Sequence, residues 1–68
     1  MDVAKVSEIS AISKVSFEDA IQKGLARASK TIRNIRSAWV KEQHVRLDKG
    51  GKIGEYQVNM LITYLLED

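Results

Sequence analysis

The chain contains no cysteine, which excludes disulfide staples and thiolate-held zinc or iron–sulfur centres. It has a single histidine, so no multi-histidine metal site forms within one chain. Proline is absent and only four of the 68 residues are glycine; no linker, internal repeat or low-complexity tract breaks the sequence. No apolar run approaches the roughly 18 residues of a membrane span. The opening Met1-Asp2-Val3-Ala4-Lys5 lacks the apolar stretch of a secretory signal. A soluble cytoplasmic protein is expected, with residues 1–68 forming one domain.

What is present is the composition of a folded domain, 44% hydrophobic and 29% charged, which argues against disorder. The difficulty is size. Below about 70–80 residues a lone core supplies only about 3–5 kcal/mol, and small domains gain the rest from disulfides, metals or oligomerisation. With the first excluded and good ligands for the second lacking, self-association is the expectation. The net charge is +2, with an excess of basic residues between Lys14 and Arg46. That basic middle suits either a solvated helix face or a phosphate-bearing ligand.

The first element is a short strand over Val3 to Ser10. Its β-branched residues Val3, Val6 and Ile9 do not alternate cleanly, which a bulge would reconcile. A polar connection follows at Ser13-Lys14-Val15-Ser16. Ser16 has the chemistry of a helix N-cap, with Asp19 in the capping-box position and Val15 and Ala20 placed for a hydrophobic staple. Phe17, Ala20, Ile21, Gly24, Leu25, Ala28 and Ile32 then recur at the spacing of one helix face. A helix of about 17 residues is expected, with Glu18 and Asp19 in its first turn and Lys30 and Arg33 in its last. Gly24 and Ala28 on its apolar face imply close approach to a sheet.

From Ile35 the period becomes two. Ala38 and Val40 share one strand face; Ser37, Trp39, Lys41, Gln43 and Val45 share the other. Asp48-Lys49-Gly50-Gly51 reads as a turn, returning the chain into a strand from Ile53 to Leu66. There Tyr56, Val58, Met60, Ile62, Tyr64 and Leu66 lie on the face that meets the helix, and Glu55, Gln57, Asn59, Leu61, Thr63 and Leu65 on the other. The apolar richness of this last strand suits a central place. The expected fold is α+β, ordered β-α-β-β, with a three-stranded antiparallel sheet in the order 1-3-2 wrapped on one helix.

Fourteen residues of strand reach about 46 Å at about 3.3 Å per residue, whereas a compact 68-residue globule has a radius of gyration near 11 Å. The hairpin overruns its own globule, and a helix about 26 Å long leaves part of its apolar face bare. Identical subunits are the expected cover.

No catalytic constellation is visible: there is no cysteine nucleophile, no Gly-x-Ser-x-Gly and no phosphate-cradling glycine loop. His44, with Glu42 and Arg46 beside it on the same strand face, fits a cross-strand ion network as well as proton transfer. The chain reads as a non-enzyme. Trp39, on the strand face away from the helix, fits either an interface anchor or a stacking platform for a planar ligand. Gln57, on the outer face of the central strand, offers a donor and an acceptor that suit the polar edge of a pyrimidine-like ring.

The segments Lys30-Thr31-Ile32-Arg33-Asn34-Ile35, Val40-Lys41-Glu42 and Glu55-Tyr56-Gln57-Val58 resemble those of the dodecins. So do the Ser16-Phe17 helix start, Ala26-Arg27-Ala28 and the closing Leu66-Glu67. The resemblance spans nearly the whole chain and implies a β-α-β-β fold assembled as a hollow homododecamer that binds flavin (riboflavin, FMN or FAD) between subunits. It implies that Gln57 bonds the polar edge of the isoalloxazine ring. The family's stacking tryptophan falls at Ser37; Trp39 lies two residues along, on the same face and about 6.6 Å away. Trp39, Ser37 and Gln57 are therefore the expected cofactor contacts, with Lys30, Arg33 and Arg36 available to flavin phosphates. A flavin-free assembly of the same architecture, structural or calcium-binding, is the alternative. Glu8, Glu42, Asp48 and Glu55 are its hard oxygen donors, and because calcium takes six to eight oxygens they would have to converge from several subunits. A nucleic-acid role would draw on the basic middle but lacks a stacking pair.

Overall fold

The computed structural model describes residues 2–67; Met1 and Asp68, part of the expected domain, lie outside them. The element order is β1 (Ala4–Ser13), α1 (Phe17–Ala28), β2 (Ile35–Leu47) and β3 (Ile53–Leu65). The three strands form one antiparallel sheet in the order β1-β3-β2, as the alternation of β3 implied.

β1 runs three residues further than the sequence suggested, because its pairing with β3 is unbroken from Ala4 opposite Leu65 to Ser13 opposite Tyr56. No bulge is needed. Val6, opposite Thr63, faces away from the helix, whereas Ile9, opposite Met60, faces it. Ser13 then turns from strand residue to cap: its hydroxyl donates to Asp19 and accepts from the Val15 backbone N–H at 2.9 Å. Ser16 caps the helix as expected, its hydroxyl accepting from the Asp19 N–H at 2.9 Å.

The Asp19 carboxylate thus binds Ser13 and, one turn on, Lys23 at 3.1 Å. The Ser13 hydroxyl is the larger cause and the Lys23 ammonium the next in holding its pKa below the usual 3.8, against the opposing effect of burial. A depressed folded-state pKa contributes stability that is present above the unfolded carboxylate value and lost as pH falls through the folded one. The melting-temperature gap between the native chain and Asp19→Asn should therefore hold steady from neutral pH to about 5 and close as pH drops below the ordinary carboxylate range. Thermal melts at stepped pH read this directly; a gap that persists at pH 2 would refute the coupling.

The helix is shorter than its apolar stripe suggested, ending at Ala28 with Ser29 as C-cap. Hydroxyls end it: Ser29 donates to the Ala26 carbonyl and Thr31 to the Ala28 carbonyl, side-chain bonds that compete with continued helical pairing. Asn34 then takes a left-handed φ of 62°, a conformation asparagine tolerates. Lys30 and Arg33 consequently lie beyond the last turn, where Arg27 is the basic residue.

The core is small. Ala20, Val58 and Met60 are fully buried, with Ile9, Ala11, Phe17, Ile21 and Val40 packed around them. Phe17 meets Tyr56 edge-to-face with ring centroids 5.1 Å apart. Gly24 allows the close approach its position implied: a Cβ there would fall 2.9 Å from both the Ala11 Cβ and the Met60 Cε. α1 packs on β1 and β3 and, at about 18 Å for twelve residues, spans less than half of β3's length.

β2 departs from the expected faces. Its register against β3 shifts between Val40 and Glu42, leaving Lys41 as a bulge. A bulge inserts one residue without a partner and so reverses the face of everything after it. Ser37 and Trp39 stay on the face away from the helix, but Gln43 and Val45 swing to the helix side, opposite Val58 and Tyr56. Glu42, His44 and Arg46 take their places on the outer face. Beyond the helix, β2 and β3 continue as a two-stranded arm closed at Asp48, whose carboxylate accepts from the Gly50 and Lys52 N–H groups, with Gly51 at φ 79°. The arm stretches the molecule to 52 × 19 × 13 Å and its radius of gyration to 14.0 Å, well above the roughly 11 Å of a compact chain this size.

Candidate functional site

The sheet face away from α1 gathers most of the residues singled out above. The pairing register sets them in rows across β1, β3 and β2: Ile12, Gln57 and His44; Ser10, Asn59 and Glu42; Glu8, Leu61 and Trp39; Val6, Thr63 and Ser37. This face has no layer of the same chain upon it. Trp39 is 72% exposed, and Val6 and Ile12 are about half exposed, so a large indole on β2 and two aliphatic side chains on β1 face outward from the two flanks of the sheet.

The polar rows are interlinked. Ser10 donates to the Asn59 amide oxygen at 2.7 Å, and the Asn59 NH2 donates to Glu42 at 3.1 Å. The Gln57 NH2 donates to the Asn59 oxygen at 3.4 Å, while Arg46 donates to the Gln57 oxygen at 3.3 Å and pairs with Glu55 at 3.8 Å. Gln57 is half-buried among these groups. Asn59 and Arg46, not singled out as binding residues from sequence, are the ones that hold it. The signal for Asn59 was in the alternation, which puts two amides at successive outward positions of a largely apolar strand; the signal for Arg46 was hidden by the bulge.

Trp39, Ser37 and Gln57 share the face but do not meet within one chain. Ser37 is paired with Thr63, six residues along β3 from Gln57, or about 20 Å at 3.3 Å per residue. Trp39 is opposite Leu61, about 13 Å along the strand from Gln57 by the same rise. Aromatic stacking works at centroid separations of about 4.5–7 Å. That separation along β3 exceeds this stacking range, so within one chain Gln57 lies outside stacking distance of the 37–39 position.

The carboxylates considered as calcium ligands are dispersed. Glu8 pairs with Lys41 at 3.3 Å, Glu42 accepts from Asn59, Glu55 pairs with Arg46, and Asp48 closes the hairpin turn. Among the described residues no group of three or more metal-ligating side chains comes together. His44 lies opposite Gln57. Lys30, Arg33 and Arg36 are exposed between the end of α1 and the start of β2, with Arg33 near Glu67 at 3.7 Å. Among the described residues no helix is long and apolar enough to cross a membrane.

The fold has close counterparts among solved structures. A variant of the Thermus thermophilus dodecin superposes with a TM-score of 0.93 at 37% identity, covering 100% of both chains. The dodecin of Streptomyces davaonensis gives 0.93 at 30% identity over 98% of this chain and 97% of that one. A Mycobacterium tuberculosis protein described as a calcium-chelating immunodominant antigen, calcium dodecin, gives 0.83 at 32% identity over 96% and 91%. No curated protein matches by sequence. The family model Dodecin matches residues 3–67. With the predicted β-α-β-β order in place and that match spanning nearly its whole length, the chain belongs to the dodecin family.

Proposed function

We propose that copies of this chain assemble into a closed homododecamer that binds and stores flavin, holding each isoalloxazine ring between subunits without catalysing a reaction on it. The observation that carries this reading is the outer sheet face, where the lone tryptophan stands 72% exposed on a strand pair that its own helix does not cover. Trp39 supplies the ring face, Ser37 flanks it without obstructing a stacked ligand, and Gln57 from another copy bonds the ring's polar edge. Burying an indole against a second aromatic surface adds about 0.5–1.5 kcal/mol beyond the area term, and copies of this chain, drawn out to 52 Å by its arm, would cover one another's apolar residues. Lys30, Arg33 and Arg36 offer charge to the phosphates of FMN and FAD. A dodecameric store of this kind suits the cytoplasm.

Titration of apo protein with riboflavin and FMN tests the reading. Flavin emission should be deeply quenched and saturate at a defined stoichiometry; unchanged emission at micromolar protein and ligand would overturn it. Calcium binding is the second reading, favoured by the kinship with the Mycobacterium tuberculosis calcium dodecin. Because Glu8, Glu42, Asp48 and Glu55 are spread out and engaged within one chain, it requires carboxylates from several copies. Calcium-dependent thermal stabilisation without flavin quenching would support it.

A further inference from the structure

Gln57 sits inside a polarised chain of hydrogen bonds. At one end Glu42 is a carboxylate, which only accepts; at the other Arg46 is a guanidinium, which only donates. Asn59 must therefore turn its NH2 to Glu42 at 3.1 Å and its oxygen back toward Ser10 and Gln57. Gln57 must in turn offer its NH2 to that oxygen and its own oxygen to Arg46 at 3.3 Å. An isolated glutamine amide has two nearly equivalent flips; here the reverse flip would set oxygen against oxygen at Asn59 and N–H against N–H at Arg46, losing two bonds. We propose that Arg46 and Asn59 are positioning residues that lock the Gln57 amide in one orientation, so that it reads the imide edge of a ring in a fixed sense.

This role rests on the flavin-binding reading. With one N–H and one lone pair of Gln57 already engaged, one of each remains. The free N–H lies toward the Asn59 side and the free lone pair toward the Arg46 side. The matching ligand edge carries a carbonyl facing the first and a ring N–H facing the second, which is the arrangement of a flavin's N3–H and its neighbouring carbonyl. Arg46 also leans on Glu55 at 3.8 Å, which restrains the guanidinium that does the locking.

The test uses assembled protein, uncharged riboflavin so that loss of the Arg46 charge does not act on a phosphate, and N3-methylriboflavin, which lacks the N–H. Native protein should prefer riboflavin over the methylated analogue by roughly tenfold. Arg46→Leu should weaken riboflavin binding by roughly 3–10-fold and shrink that preference, as should Asn59→Leu, which attacks the other end of the amide. Arg46→Lys, still a donor-only cation, should restore the preference. In a Gln57→Leu background, Arg46→Leu should change affinity by less than about twofold, since a positioning residue has nothing left to position. Equal preference in native protein and both leucine variants overturns the inference, as does a full Arg46→Leu loss in the Gln57→Leu background. Failure of native protein to bind riboflavin at all overturns the flavin reading beneath it, which is a different and separately visible result.

Discussion

Trp39→Ala should abolish flavin quenching while the assembly keeps its mass. The indole is 72% exposed in the single chain and touches none of the core residues around Met60, so its removal leaves the fold intact. What it takes away is a ring face and the contact area behind it. An aromatic side chain buries about 150–250 Å², and at about 25 cal/mol per Å² even half of that area is worth some 2–3 kcal/mol. Flavin affinity should accordingly fall by at least about thirtyfold, and residual binding should show bright rather than quenched flavin. Trp39→Phe, which keeps a smaller ring, should fall between. Fluorescence titration alongside light scattering checks both halves. Loss of the assembly together with quenching would make Trp39 an interface anchor instead.

Met60→Ala should lower the melting temperature more than any surface change. Met60 is fully buried where α1 crosses the sheet, against Ala20 and Val58, and its terminal methyl already lies against the space that a Gly24 side chain would take. Truncating a buried methionine costs about 2–5 kcal/mol. For a domain of this size that corresponds to a fall of roughly 10–25 °C, and it rivals the entire stability of a lone core this small. The variant should remain folded only at concentrations that maintain the assembly, so its midpoint should rise with protein concentration. A midpoint shift of less than about 5 °C would mean that the site refills.

The fold was largely legible because its periodicities are clean. β3 alternates across its whole length, and the helix announces itself through Ser16, Asp19 and a regular apolar stripe. The sheet order followed from giving the most apolar strand the central place. What the sequence hid were local events set by competing hydrogen bonds. Ser29 and Thr31 end the helix although Ile32 continues its stripe, and β1 extends to Ser13 because β3 supplies partners that composition alone does not reveal. The bulge at Lys41 matters most. Strict alternation placed Gln43 and Val45 beside Trp39, whereas the structure brings Glu42, His44 and Arg46 to that face. A single unpaired residue thereby moved Arg46 from the wrong side of the strand to within hydrogen-bond reach of Gln57.

The site was legible only in part for a related reason. Trp39 and Gln57 were identifiable as outward-facing residues with the right chemistry, but the spacing between them is a property of register, and register is fixed by the paired strand rather than by either segment alone. Once the register is known, about 13 Å along β3 separates them, and the flavin pocket proposed above would draw them from neighbouring copies.

Sedimentation or light scattering of dilute protein tests the account at its root. A single species of roughly twelve times the 7.6-kDa chain mass is predicted, persisting at micromolar concentration because other copies would cover the exposed arm and the outer sheet face. A cooperatively melting monomer of 7.6 kDa under the same conditions would contradict it.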